Sequence, residues 1–264
     1  MMNADFFYNN AFGRGVLKLM MKAGMFKPVA GFLSSGISKH MIPGYIKKNN
    51  IDMSPYGEQK YASFAEFFGR RRDISFDDDP KALIAPCDSM LSVYGIKQDL
   101  EVPIKGSHYT VSDLIPDEEY AGRFRNGLCL VFRLEASDYH HFCFFDNGKK
   151  IRSGFVPGLL HSVQPIALRH FPVFRLNRRW WDVLETEHFG LVAQTEIGAM
   201  AVGGVSFAPD TENFKKGQEM GNFELAGSTI VLLLNPDAAT SLMLNAGIGS
   251  DEVRVTIGSV IGRL

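Results

Sequence analysis

Lys216-Gly217-Gln218-Glu219-Met220-Gly221-Asn222-Phe223-Glu224-Leu225-Ala226-Gly227-Ser228-Thr229 runs directly into the apolar stretch Ile230-Val231-Leu232-Leu233-Leu234. The pattern is a tight, glycine-bearing turn that delivers a serine to the start of a buried strand. Gly227 has no Cβ to hinder attack on its own carbonyl, and it tolerates a strained backbone. An ordinary hairpin uses the same Gly-Ser-Thr tripeptide, so the surrounding chain has to decide between the two readings.

Upstream of this stretch, from residue 82 onward, short runs of β character predict strands at Leu91–Ile96, Cys129–Leu134, Phe142–Phe145, Leu191–Glu196 and Ala201–Phe207. Thr229–Leu234 is a further strand, and Glu252–Ile261 alternates in the same way. Gly, Pro, Asn and Asp separate these runs, as antiparallel sheets require. Residues 11–48 read as helical: Val16, Leu17, Met20, Met21 and Met25 recur at helical spacing, and Pro28, Gly31, Gly36 and Pro43-Gly44 break the region into pieces. Residues 50–80 read as a linker with one short helix around Ser63–Arg71, closed by Asp77-Asp78-Asp79-Pro80. The expected fold class is α+β, a mainly antiparallel β domain (51–264) with an N-terminal helical appendage (1–50).

The 264 residues carry a formal charge of −1, which argues against a nucleic-acid binder, but the charge is unevenly spread. Residues 1–50 hold seven basic residues (Arg14, Lys18, Lys22, Lys27, Lys39, Lys47, Lys48) against Asp5, whereas the remainder holds 21 basic and 28 acidic residues. A basic, amphipathic end on an acidic body suits an anionic membrane surface as partner, although an apolar stripe packed on the body with solvated lysines is the plainer alternative. No apolar run approaches the length needed to span a bilayer, and no signal peptide is expected. Cys87, Cys129 and Cys143 form neither a disulfide framework nor a metal pattern. A reducing compartment and no metal are therefore expected, and the location expected is peripheral, at the cytoplasmic face of a membrane. Trp180-Trp181, beside Arg175, Arg178 and Arg179, suits either lipid headgroups or a half-buried loop.

The chain resembles the phosphatidylserine decarboxylase family in an ordered set of segments. They are Phe64-Ala65-Glu66-Phe67-Phe68-Gly69-Arg70, Pro86-Cys87-Asp88-Ser89, Lys105-Gly106-Ser107-His108-Tyr109-Thr110 and Asp138-Tyr139-His140-His141-Phe142. Pro157 to Pro165, Gly198-Ala199-Met200-Ala201-Val202-Gly203 and the Gly-Ser-Thr stretch complete the series. The resemblance implies that Ser228 attacks the Gly227 carbonyl, giving an ester that eliminates and hydrolyses to a pyruvoyl group. A β chain (1–227) and an α chain (228–264) result. The ketone would form a Schiff base with the amine of phosphatidylserine and take up the electrons left when CO₂ departs, yielding phosphatidylethanolamine. The implied partners are thus phosphatidylserine and the two chains of one precursor, and a homo-oligomer stays open.

Asp88 matches the family aspartate, and His140 matches the first histidine of the family's Tyr-His-Arg-x-His, a candidate proton donor to the decarboxylated carbon. The second histidine, the family's base, is replaced here by Cys143. Either Cys143 takes over as base or another histidine reaches the site; His161 is the expected substitute, which would place it beside Asp88 and Ser228, with Cys143 or His140 the alternatives. Two other readings remain at this point: a serine hydrolase using Asp88, His161 and Ser228, and an uncleaved relative that only binds lipid.

Overall fold

A computed structural model describes residues 4–22, 27–104, 107–199, 204–225 and 228–264. Met25, Lys105-Gly106, residues 200–203 and Gly227 of the expected cleavage pair lie outside the described residues. In chain order the strands begin with β1 (Ala82–Ile84), β2 (Ser89–Gly95), β3 (Glu101–Ile104), β4 (Ser107–Thr110), β5 (Leu128–Arg133) and β6 (His141–Cys143). β7 (Gly148–Val156), β8 (Arg179–Thr186), β9 (Gly190–Ile197), β10 (Gly204–Phe207), β11 (Asn213–Phe214) and β12 (Glu219–Glu224) follow. β13 (Thr229–Leu234), β14 (Met243–Leu244), β15 (Val253–Val255) and β16 (Val260–Arg263) complete the series.

An eight-stranded antiparallel sheet, ordered β11-β7-β8-β9-β13-β5-β2-β15, organises the domain. The α+β expectation holds. β13 lies between β9 and β5 and pairs with both along its whole length, Thr229 facing Ile197 on one side and Arg133 on the other. All six of its residues are buried, which explains why its sequence is a continuous apolar run rather than an alternation. Ile230 and Leu232 join one core with Leu130, Phe132, Leu134 and the aromatic residues of a second sheet, β10-β12-β6. Val231 and Leu233 join the opposite core, with Val131, Ala193 and Phe174.

Three details depart from the sequence reading. The Trp180-Trp181 pair lies in β8, not in a loop: Trp181 is buried in the second core, and Trp180 packs on Phe155 and Phe207. Alternation along a strand sends the two rings to opposite faces. The stretch 252–261 forms two strands rather than one, because the chain turns at Gly258, whose φ of +81° suits glycine. The short helix spans only Phe64–Phe68. Ser63 caps it by accepting the Glu66 N–H, and it ends where the Arg70-Arg71-Arg72 run extends.

The appendage comprises α1 (Ala4–Asn9), α2 (Ala11–Lys22), α3 (Lys27–Leu33), a 3₁₀ turn (Gly36–Met41) and α4 (Ile42–Asn49). Tyr8 and Leu17 are fully buried against the body, so part of the expected apolar stripe is core. Phe12, Leu19 and Ile37 are about 70% exposed (74%, 69% and 71%), on the side packing does not use. With the Phe64–Phe68 helix designated α5, Phe64, Phe67 and Phe68 cluster with Leu33, Ile42, Tyr45, Ile46 and Leu225. This joins the appendage to the segment just ahead of Gly227-Ser228.

Candidate active site

Ser228 is buried and stands one residue ahead of β13. Its carbonyl accepts the Leu134 N–H at 2.8 Å, which extends the β5–β13 ladder by one step and fixes the residue in register. By alternation its side chain shares the face of Ile230 and Leu232. Before the Gly227-Ser228 pair, Leu225 has a φ of +34°, a left-handed conformation that costs a branched side chain about 1–2 kcal/mol. The chain therefore enters the Gly-Ser pair from a strained residue held by aromatic packing.

The same end of the sheet gathers the residues preceding β2 and following β5 and β9. Asp88 accepts two hydrogen bonds from Arg72 Nη2 (2.9 and 2.8 Å), one from the Ile257 N–H (2.8 Å) and a longer one from the Tyr139 N–H (3.4 Å). The guanidinium lies over the Tyr139 ring. Two strand spacings, about 10 Å, separate the backbones of Asp88 and Ser228, because β5 runs between β2 and β13.

His161 lies on the other flank. Its N–H donates to Asn177 Oδ1 and its carbonyl accepts from Asn177 Nδ2, both at 2.8 Å. That same Nδ2 donates to the Gly198 carbonyl at 2.7 Å, and Gly198 follows β9 opposite the head of β13. The imidazole stacks on Phe171 (4.4 Å between centroids) beside Tyr8, and its Nδ1 has no hydrogen-bond partner among the described residues. No hydrogen bond joins Asp88 to His161 among the described residues. The strand order β9-β13-β5-β2 sets the two on opposite sides of Ser228.

His140 is fully buried with its ring 4.0 Å from that of Phe68. Its Nδ1 lies 2.9 Å from the Asp138 carbonyl, an acceptor, so Nδ1 carries the proton in the neutral ring. Arg70, itself buried, donates to the same carbonyl. His141 has Glu219 at one nitrogen and the Gly69 carbonyl at the other, and it stacks on Tyr139, a bracing role. Burial pushes the Cys143 thiol up to about 12, which makes it a poor base at neutral pH.

Two clefts flank these groups. One of about 900 Å³ includes Arg72, Tyr139, His141 and Cys143; another of about 430 Å³, between α3 and β12, includes Phe68, Phe223 and Leu225. The smaller one is lined by Leu225, three residues before Ser228 in the chain. Among the described residues no group of three or more His, Cys, Asp or Glu is placed to hold a metal, and no helix is long and apolar enough to cross a membrane.

Fold and site together define a class, an α+β domain whose central buried strand opens on a Gly-Ser-Thr sequence. A family model described as phosphatidylserine decarboxylase matches residues 61–263. Phosphatidylserine decarboxylase proenzyme 2 of Clostridium acetobutylicum is 39% identical over 266 residues, covering 97% of this chain and 90% of the relative. Phosphatidylserine decarboxylase proenzymes of Clostridium kluyveri and Clostridium perfringens are 36% and 34% identical with the same coverage. The chain belongs to the phosphatidylserine decarboxylase family.

The family's prosthetic group is a pyruvoyl formed from a serine by self-cleavage. Ser228 fits that origin: it is shielded from water, locked in register and preceded by glycine. When formed, the group supplies an electron sink for decarboxylation.

Burial lowers the His161 pKa to about 4, so the folded imidazole stays neutral where an unfolded one, near 6.5, already takes a proton. Its contribution to stability is fully present above pH 6.5 and is lost as pH falls towards 4. The melting temperature of the wild type should therefore drop more steeply between pH 6.5 and 4.5 than that of His161→Phe. Parallel curves would show that the ring titrates alike in both states.

Proposed function

We propose that the protein decarboxylates phosphatidylserine to phosphatidylethanolamine, with a pyruvoyl at residue 228, while bound peripherally to an anionic membrane. The reading of Ser228 is carried by its position: buried, behind Gly227, at the head of the most enclosed strand of the sheet. Family membership supports the substrate. Ser228 Oγ attacks the Gly227 carbonyl. Asp88 and Arg72 hold a fixed ion pair at the sheet end, and His161, through Asn177, positions the Gly198 backbone one strand away. His140, held by the Asp138 carbonyl, is the group placed to deliver a proton during turnover. The test is an intact-mass spectrum of purified protein together with CO₂ release from phosphatidylserine vesicles. Two fragments matching 1–227 and 228–264, with release, are expected. Release from a chain that stays whole would defeat the pyruvoyl reading.

Support for the membrane comes from Phe12, Leu19, Phe32, Ile37 and Met41, all exposed on the basic appendage, and from the smaller cleft beside α3. Three free, buried cysteines suit the cytoplasmic face. Burying a phenylalanine or leucine in lipid is worth about 1.5–3 kcal/mol each. Phe12→Ser with Leu19→Ser should accordingly weaken co-sedimentation with phosphatidylserine vesicles by about tenfold or more, while Leu17 keeps α2 docked. Equal binding by the double variant would remove this surface from the account.

A further inference from the structure

We propose that Glu196 is the proton-transfer group that serves Ser228 during self-cleavage, in the role left open by Cys143. The inference rests on Ser228 being the cleaved residue. Glu196 stands in β9 directly across from Ile230 of β13, and Ser228 lies two residues before Ile230. Both side chains fall on one face of the sheet by alternation, because Ser228 shares parity with Ile230. Such diagonal neighbours are about 7–8 Å apart at Cα, within reach of a long side chain. The His161 ring, by contrast, packs with Tyr8, which belongs to the core on the opposite face.

Glu196 is fully buried, and only one of its oxygens is engaged. Gln194 Nε2 donates to Oε1 at 2.7 Å, while Oε2 has no hydrogen-bond partner among the described residues. An unpartnered carboxyl oxygen in a core costs stability and calls for a reason. The groups facing it are Asp182 on β8 and Lys150 on β7, which pair with each other at 3.2 Å, and Gln194 on its own strand. The covering sheet contributes Met220, whose sulfur accepts from Gln194, together with Phe142 and Phe223. By alternation, His140 lies on the same side of its chain as Phe142. Burial, with Asp182 adding to it, raises the Glu196 carboxyl well above the usual carboxylate range, which makes its ionised form a stronger base than an exposed glutamate.

The step balances without any added reagent. Glu196 takes the hydroxyl proton as the Ser228 Oγ–C bond to Gly227 forms. It returns that proton to the Ser228 nitrogen as the Gly227–Ser228 C–N bond breaks, leaving an ester and a free amine. A glutamate is rarely fully buried in a strand covered on both faces, and the one cation facing it among the described residues, Lys150, is already paired with Asp182.

The test follows conversion of freshly synthesised chain into its two fragments, on gels and by mass, from pH 6 to 9. Wild type, Glu196→Gln and Ser228→Ala are compared. Gln keeps the acceptor for Gln194 and the volume, so far-UV circular dichroism should match wild type. Wild-type conversion should speed up with rising pH, whereas Glu196→Gln should be about 100-fold slower and flat with pH. Conversion of Glu196→Gln at the wild-type rate and with the wild-type profile overturns the proposal. If that variant does not fold, Glu196→Asp replaces it: a slower rate that still rises with pH supports the assignment, and an unchanged rate overturns it. A wild-type chain that itself stays uncut overturns the reading of Ser228 beneath it, a distinct result.

Discussion

Ser228→Ala should remain a single polypeptide of 29.4 kDa and release no CO₂ from phosphatidylserine at any pH. The alanine fits the site, since the residue is buried and its carbonyl bond to Leu134 is made by the backbone. The variant should therefore fold as the precursor, with the β5-β13-β9 ladder intact. What it lacks is the nucleophile. Without an Oγ there is no ester, no elimination and no ketone. The loss should be complete rather than partial, because the same atom is both the cutting group and the precursor of the prosthetic group. Two-fragment processing of Ser228→Ala would show that cleavage happens elsewhere.

Asn177→Leu is expected to be the most damaging substitution outside Ser228. One buried amide holds the His161 N–H, the His161 carbonyl and the Gly198 carbonyl together. Leucine fills a similar volume but strands a donor and two acceptors in a core where water cannot replace the bonds. Each unsatisfied buried group costs about 1–3 kcal/mol, so a loss of roughly 3–5 kcal/mol is expected from urea unfolding of the precursor. Asn177→Asp should rescue little, because a carboxylate accepts from His161 but faces two carbonyls it cannot bond. Slowed self-cleavage should accompany the loss, since Gly198 abuts the head of β13. A midpoint within experimental scatter of wild type would mean that the loop is held by the stacking of His161 on Phe171 and not by the amide.

Much of this architecture is legible in the sequence where burial is two-sided. β13 announces itself because both of its faces are covered, leaving no polar position to obscure the pattern. β7 does not: Lys149, Arg152 and Ser153 face partly outward on a strand near the sheet edge, and its residues look like a loop. The Asp88 and Ser228 motifs are readable, but the distance between them is not, because it depends on β5 coming between β2 and β13. The same strand order, which the sequence does not reveal, sets the backbone that carries His161 on the other flank of Ser228 from Asp88. Glu196 reads in the sequence as the polar end of a strand, after Gln194 and Thr195; that all three are buried is set by the covering sheet, which the sequence does not show.

The position of β13 also governs what happens after the chain is cut. On the proposed cleavage between Gly227 and Ser228, the 228–264 fragment would begin with the strand that is bonded along both edges and would carry β16, which is paired to β1 and β14. Severing the backbone ahead of β13 removes a covalent link without freeing an edge. The two fragments would be born already assembled, and separation would require opening the middle of the sheet. Their association should be indifferent to dilution, so the mature enzyme follows the mass action of a single molecule although it consists of two.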